Sequence, residues 1–157
     1  MSEAENASVP AMIRQGQLAD EIAAQIPQDV EGEWEKLIYT HRAVSMYARE
    51  MLYVHRPDGS VDTALAPLAM GKLVKELRSV MYRPGVGAWF TAEWTLVREA
   101  SGGVSVDVEF NYDDEPSWGR PISPSSYAIE LEDFPRDEEN TPNWLEQKVA
   151  EAQRDAK

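Results

Sequence analysis

The sequence predicts a single α+β domain in which an antiparallel four-stranded sheet, built from two hairpins, is covered by helices in the order α-β-β-α-β-β-α-α. Three observations carry this. Residues 88–97 and 104–112 each follow a two-residue period, one phase apolar and the other mostly polar, the period of a half-buried strand. Apolar residues recur at helical spacing over 10–26 and from about 65 to 81. Ser123-Pro124 and Thr141-Pro142 each set a hydroxyl before a proline, the chemistry of a helix entry. At 157 residues the chain suits one domain with a sizeable core. All of 1–157 is assigned to it, with 1–8 and 152–157 read as frayed ends.

In chain order, Ser8 is placed to cap a first helix over 10–26, with Pro10 in its first turn, Ile13, Leu18, Ile22 and Ile26 as its apolar stripe, and Pro27 as its stop. The stripe is narrow, so the helix is expected to lie across the body. Residues 34–42 and 44–54 are rich in β-branched and aromatic side chains and read as a hairpin. Met46, Arg49, Glu50, Met51 and Leu52 would also tolerate a helix, which leaves 44–54 open between the two. Arg56-Pro57-Asp58-Gly59-Ser60 is a turn. A second helix is expected to start near 63–67, with Leu65, Met70, Leu73, Leu77, Val80 and Met81 on its apolar face. Lys72, Lys75, Glu76 and Arg78 take its polar face, and Arg83-Pro84-Gly85 ends it.

In the second hairpin, Ala88, Phe90, Ala92, Trp94 and Leu96 alternate with Trp89, Thr91, Glu93, Thr95 and Val97. Beyond Glu99–Gly103, Val104, Val106, Val108, Phe110 and Tyr112 alternate with Ser105, Asp107, Glu109 and Asn111. A loop symmetric about Ala100 pairs Phe90 with Phe110, Ala92 with Val108 and Trp94 with Val106, all on one apolar face. The same register sets Glu93 opposite Asp107 and Thr91 opposite Glu109. Facing like charges are tolerated on a wet surface. One side of the sheet is therefore expected to be core. The other is expected to be open and acidic, flanked by Trp89. Helices follow from Ser123-Pro124 to about Asp133, with Tyr127 and Leu131 at i and i+4, and from Thr141-Pro142 through Trp144, Leu145 and Val149.

The formal charge of -13 argues against a nucleic-acid partner, which needs a phosphate-neutralising surface, and equally against an anionic membrane surface. The excess is concentrated: residues 107–139 hold 11 acids against Arg120 and Arg136 as the sole bases. There is no cysteine, hence no disulfide framework, thiol nucleophile or thiolate metal site. The start Met1-Ser2-Glu3-Ala4-Glu5-Asn6 lacks the blocks of a signal peptide, and no apolar run approaches the roughly 20 residues of a membrane span. The cytoplasm is the expected location.

Candidate chemistry is sparse. His41 and His55 have no metal-ligand spacing and no serine or cysteine set beside them. Asn111, Asp113 and Glu115 sit two apart like calcium ligands, yet Pro116 and Ile122 stand where an EF-hand needs Gly and Glu. Whether the turn takes a cation at a looser site stays open. Gly85-Val86-Gly87 leads into a strand, so it is not a phosphate loop. Glu93, Asp107 and Glu109 would serve a carboxylate hydrolase only inside a concave apolar pocket. No residue is assigned a catalytic, cofactor-binding or metal-ligating role. What remains is an acidic surface with aromatic neighbours, and aromatics anchor interfaces while acids steer basic partners. The candidate partner-binding residues are Trp89, Glu93, Asp107, Glu109, Tyr112, Asp113, Asp114, Glu115 and Trp118. Equally, Trp118 and Tyr127 could simply pin the turn onto the core.

Trp89–Leu96, Val106–Pro116, Tyr127–Leu131, Phe134-Pro135-Arg136 and Pro142-Asn143-Trp144-Leu145 together resemble the YezG-like immunity (antitoxin) family of bacteria. The likeness covers about the last 70 residues; before them, Trp34-Glu35-Lys36 is the best local match. The resemblance implies a small cytosolic protein, not an enzyme, that needs no cofactor and neutralises a cognate toxin domain, often a nuclease. It supplies no catalytic residues. The alternative is an adaptor or chaperone that holds a secreted toxin without blocking its active site. The oligomeric state is not legible.

Overall fold

A computed structural model describes residues 10–156. Helix α1 (Ala11–Gln25) begins after Pro10, whose carbonyl accepts from the Ile13 and Arg14 N–H groups. The cap expected at Ser8 lies outside the described residues. Leu18, Ile22 and Ile26 are wholly buried while Ile13 is exposed, so the stripe engages only from its second turn. Strands β1 (Lys36–Val44) and β2 (Tyr47–His55) form the first hairpin, so 44–54 is strand and not helix. Its two-residue loop is Ser45-Met46, with Ser45 in the left-handed region at φ 54°, as tight hairpin loops require.

The sheet has five strands, not four. β3 (Val61–Ala64) pairs antiparallel with the end of β2. The turn before it is closed by Asp58, whose Oδ1 accepts from the Ser60 N–H and hydroxyl, and by Gly59 at φ 89°. The chain therefore returns directly beside β2 and extends the ladder. Four residues, three of them exposed, are too few for alternation to register. Helix α2 accordingly starts later than expected, at Met70–Met81, and Leu65 stands 90% exposed outside it. Arg78 is not on the wet face of α2; it is buried.

β4 (Thr91–Arg98) and β5 (Val104–Asn111) complete the sheet in the order β3-β2-β1-β4-β5. Helix α3 (Pro124–Asp133), a 3₁₀ turn (Glu138–Asn140) and helix α4 (Asn143–Asp155) follow. The full order is thus α-β-β-β-α-β-β-α-α. Ser123 Oγ accepts from the Ser125 N–H, as its capping position predicts. Thr141 instead donates its hydroxyl back to the Asp137 carbonyl, and α4 runs on through Asp155, past the expected frayed end.

The β4–β5 register differs from the expected one by two residues. Glu99 N–H donates to the Gly103 carbonyl and Gly102 takes φ 97°, which centres the loop on Ser101. A turn followed by a left-handed glycine has this offset. Ala92 then faces Phe110, Trp94 faces Val108 and Glu93 faces Glu109. A shift of two keeps every side chain on its expected face.

At Phe90 the alternation itself fails. The Phe90 carbonyl accepts from Ala43 in β1, while its N–H donates to the Asn111 carbonyl in β5. In a regular strand both groups of one residue point the same way, so the chain bends here as at a bulge. Trp89 and Ala92 consequently both enter the main core, and Phe90 enters a second one.

The main core lies between α1, α2 and one sheet face: Leu18, Ile22, Leu77, Leu37, Tyr39, Leu52, Trp89 and Trp94 are essentially inaccessible. Removing side chains of this size from water contributes roughly 1.5–3 kcal/mol apiece. The second cluster gathers Val44, Phe90, Tyr127 and Leu145 under α3 and α4, where β1 ends and β4 begins. Over the remaining sheet face, among the described residues, no helix lies.

Candidate partner-binding surface

The acidic turn that follows β5 is held from three directions. Asn111 Oδ1 accepts from the Asp113 and Asp114 N–H groups at 3.1 and 2.9 Å, and its Nδ2 donates to Asp114 Oδ2 at 2.8 Å. Such a side-chain turn fixes local backbone in the way a backbone turn does. Trp144 Nε1 donates to the Asp113 carbonyl at 2.7 Å. Arg136, whose side chain is 2% exposed, donates to the carbonyls of Tyr112 (2.7 Å), Ala88 (3.0 Å) and Asn140 (3.0 Å). The carboxylates meanwhile stay in water. The Asp113 side chain is 82% exposed and no closer than 3.8 Å to Arg136, while Glu115 lies 3.9 Å from Lys148. Pairs this long and wet contribute little, so the turn presents a rigid backbone and nearly free negative charge.

The expected site residues divide into two groups. Asp107, Glu109, Asp113, Asp114 and Glu115 are exposed, and form one acidic strip along β5 and its exit. Glu93, half-buried, joins them on the uncovered sheet face, where Thr40 Oγ1 lies 3.4 Å from its Oε1. The aromatic members belong to packing. Trp89 does not flank an open surface: it is fully buried, because the bend at Phe90 turns it inward. Tyr112 is half-buried against the main core, and burial raises its hydroxyl pKa. Trp118 packs on the second cluster and donates Nε1 to the Tyr127 hydroxyl at 3.2 Å. That is the pinning role weighed as its alternative.

The uncovered face is not flat. An open depression of about 610 Å³ is lined by Thr40, Arg42, Tyr53, Glu93, Glu109 and Asn111. Its walls are polar, unlike the enclosed apolar pockets that separate the pKa values of catalytic carboxylates. Among the described residues, no three histidine or carboxylate groups converge as metal ligands.

Three features were not legible as parts of this surface. Arg136 and Trp144 set the backbone of the turn, and the signal for Arg136 was its place as one of only two bases in an acidic stretch. Val104 and Val106 are about half exposed on β5, because that strand is the edge of the sheet. Their alternation correctly gives a strand face but not whether anything covers it.

Behind the surface lies a buried polar network. Arg78 donates to Glu130 through Nη1 (3.0 Å) and Nη2 (2.5 Å), and to the Trp89 carbonyl through Nε (2.7 Å). Glu130 also accepts from the Ser45 N–H at 2.8 Å. Tyr39 donates its single hydroxyl proton to Glu50 at 2.6 Å, so its 2.9 Å contact with His41 must have Nδ1–H of the imidazole as donor. Burial, reinforced by the nearby Arg78 charge, lowers the His41 pKa to about 4. The unfolded chain takes up this proton near pH 6.5, the folded chain only near 4. Its contribution is therefore complete above pH 6.5 and is lost as the pH falls towards 4. Relative to His41→Gln, the parent is expected to lose roughly 2–3 kcal/mol more between pH 7 and pH 4.5. Urea unfolding followed by circular dichroism at the two pH values measures this, and equal losses in both proteins would contradict a neutral buried imidazole.

No family model matches the chain, and no curated protein matches it. Among the described residues, no helix is long and apolar enough to cross a membrane.

Proposed function

We propose that this chain is an immunity protein of the YezG-like kind, acting in the cytosol. It binds a cognate toxin domain and neutralises it by occlusion, without catalysing a reaction. The observation that carries the reading is the pre-organised acidic turn: its backbone is fixed by Asn111, Trp144 and Arg136, and its carboxylates are left solvated. A surface ordered before encounter loses little entropy on binding, and its charge accelerates the approach of a basic partner such as a nuclease. The acidic strip of Asp107, Glu109, Asp113, Asp114 and Glu115 supplies the steering. The resemblance of Val106–Pro116, Phe134-Pro135-Arg136 and Pro142–Leu145 to that family motivates the same reading.

The test replaces Asp113, Asp114 and Glu115 together with serine and uses a toxin domain from a neighbouring gene, whose presence this reading requires. The three side chains are exposed, so the unfolding midpoint should hardly move. Association measured by stopped flow at low salt should slow on the order of tenfold, with the difference shrinking as salt rises. A triple variant that associates as fast as the parent, and protects toxin-expressing cells equally, would remove the turn from the interface. The same complex separates inhibitor from adaptor: a bound toxin that retains full catalytic activity would establish the adaptor instead.

A further inference from the structure

The two edges of the sheet are unlike. β3 closes one edge with four residues, and its Asp62 is held by Arg56. β5 closes the other with eight residues, Val104–Asn111, containing neither proline nor lysine. Shortness, proline, bulges and charged side chains, lysine above all, are the usual protection of an edge, and of these β5 carries only the charges of Asp107 and Glu109, both on one face. Because Glu99 bonds Gly103 across the loop, alternation directs the ladder bonds of β5 through Ser105, Asp107, Glu109 and Asn111. The N–H and C=O groups of Val104, Val106, Val108 and Phe110 point away from β4, and among the described residues no hydrogen-bond partner meets them.

We propose that the free edge of β5 is a strand-docking site for an extended partner segment in which Lys or Arg alternates with apolar residues. Backbone pairing of this kind supplies affinity through the ladder and specificity through alternate side chains. Chemistry on the two faces fixes the occupant. On the uncovered face, Asp107 and Glu109 are exposed and unpaired, so the added strand carries cations there. On the opposite face, Val104 and Val106 are half exposed and Val108 and Phe110 partly buried, so its alternate residues are apolar and extend the core. A second copy of this chain is the wrong occupant. Two β5 edges would bring Asp107 and Glu109 against their own kind, and like charges across a strand pair are destabilising. The inference rests on the toxin-binding reading and names the kind of segment the toxin presents.

The experiment uses the full chain, ¹⁵N-labelled, titrated with a capped peptide in which lysine and valine alternate; the control peptide has glutamate for lysine. The lysine peptide should shift and protect the amides of Val104, Val106, Val108 and Phe110, and the glutamate peptide should not. Val106→Pro removes an outward N–H that the ladder does not use, a change edge strands tolerate, and should weaken the lysine peptide tenfold or more. Asp107→Lys with Glu109→Lys should reverse the preference between the peptides, a readout that holds even if the proline variant does not fold. Equal response to both peptides, or β5 amides protected only by self-association, would overturn the proposal. In the toxin complex, a Val106→Pro chain that inhibits as well as the parent, with the four amides unprotected, ends edge docking and leaves the toxin reading intact. Edge binding of the lysine peptide by a chain that inhibits no toxin would do the reverse.

Discussion

Glu130→Ala is expected to remove roughly 3–5 kcal/mol of stability, the usual effect of breaking a buried ion pair from one side. Glu130 is 1% exposed and answers both Arg78 and the Ser45 N–H at the hairpin loop. Its loss strands a guanidinium held between the rings of Trp89 and Phe134, at 5.7 and 5.2 Å from their centroids. Arg78 can neither reach water nor give up its proton there. A domain of this size has about 5–15 kcal/mol in total, so the variant approaches the unfolding threshold. Arg78→Met combined with Glu130→Leu should recover part of the loss, because apolar replacements of similar volume remove the stranded charge. The recovery stays partial, since the Ser45 N–H and Trp89 carbonyl remain without partners. Urea midpoints of the three proteins decide it; a Glu130→Ala loss below about 1 kcal/mol would mean that the pair does not join α2 to α3.

Arg136→Ala is expected to cost about 3 kcal/mol and, unlike Glu130→Ala, to act on the acidic turn as well. Three carbonyls from separate segments, Ala88, Tyr112 and Asn140, lose a charged donor. The guanidinium also lies over Phe90 at 4.8 Å from the ring centroid. Gly87 matches it from the other side: at φ 92° it lacks the Cβ that would collide with the Arg136 side chain. With the turn released at Tyr112, the amides of Asp113 and Asp114 should exchange faster and, on the proposed reading, association with a toxin domain should weaken tenfold or more. Lysine should not rescue either property, because an ammonium cannot reproduce the planar fork. Hydrogen exchange and binding on the same sample test both halves, and unchanged exchange at Asp113 and Asp114 would show that Asn111 and Trp144 suffice.

The elements with strong local chemistry were legible. Ser123-Pro124, the stripe of Leu18, Ile22 and Ile26, and the alternation through Trp94 and Val108 each reflect a preference the chain satisfies on its own. The failures come from tertiary competition. β3 is too short for a period, and exists because Asp58 and Gly59 turn the chain onto β2. The register depended on the conformation of Gly102, which composition does not specify. Arg78 sits among Lys72, Lys75 and Glu76 in sequence, and only its pairing with a residue 52 positions away allows its burial. Of the candidate site, the acids of β5 and the turn lie on the surface as expected, Tyr112 lies on the expected core face and Trp118 takes the pinning role left open for it, whereas Trp89 is misplaced. A tryptophan beside acidic residues has the same sequence signature whether it faces a partner or the core, and one bend at Phe90 decided the case of Trp89.

That bend has a mechanical consequence. Trp89 and Phe90 are joined by one peptide bond, yet each is embedded in a different apolar cluster. Neither cluster can loosen without dragging on the anchor of the other. The C-terminal helices are therefore not an appendage that swings on a hinge to meet a partner. They are expected to unfold together with the sheet, and the acidic turn that Trp144 and Arg136 hold is fixed in its orientation to β5.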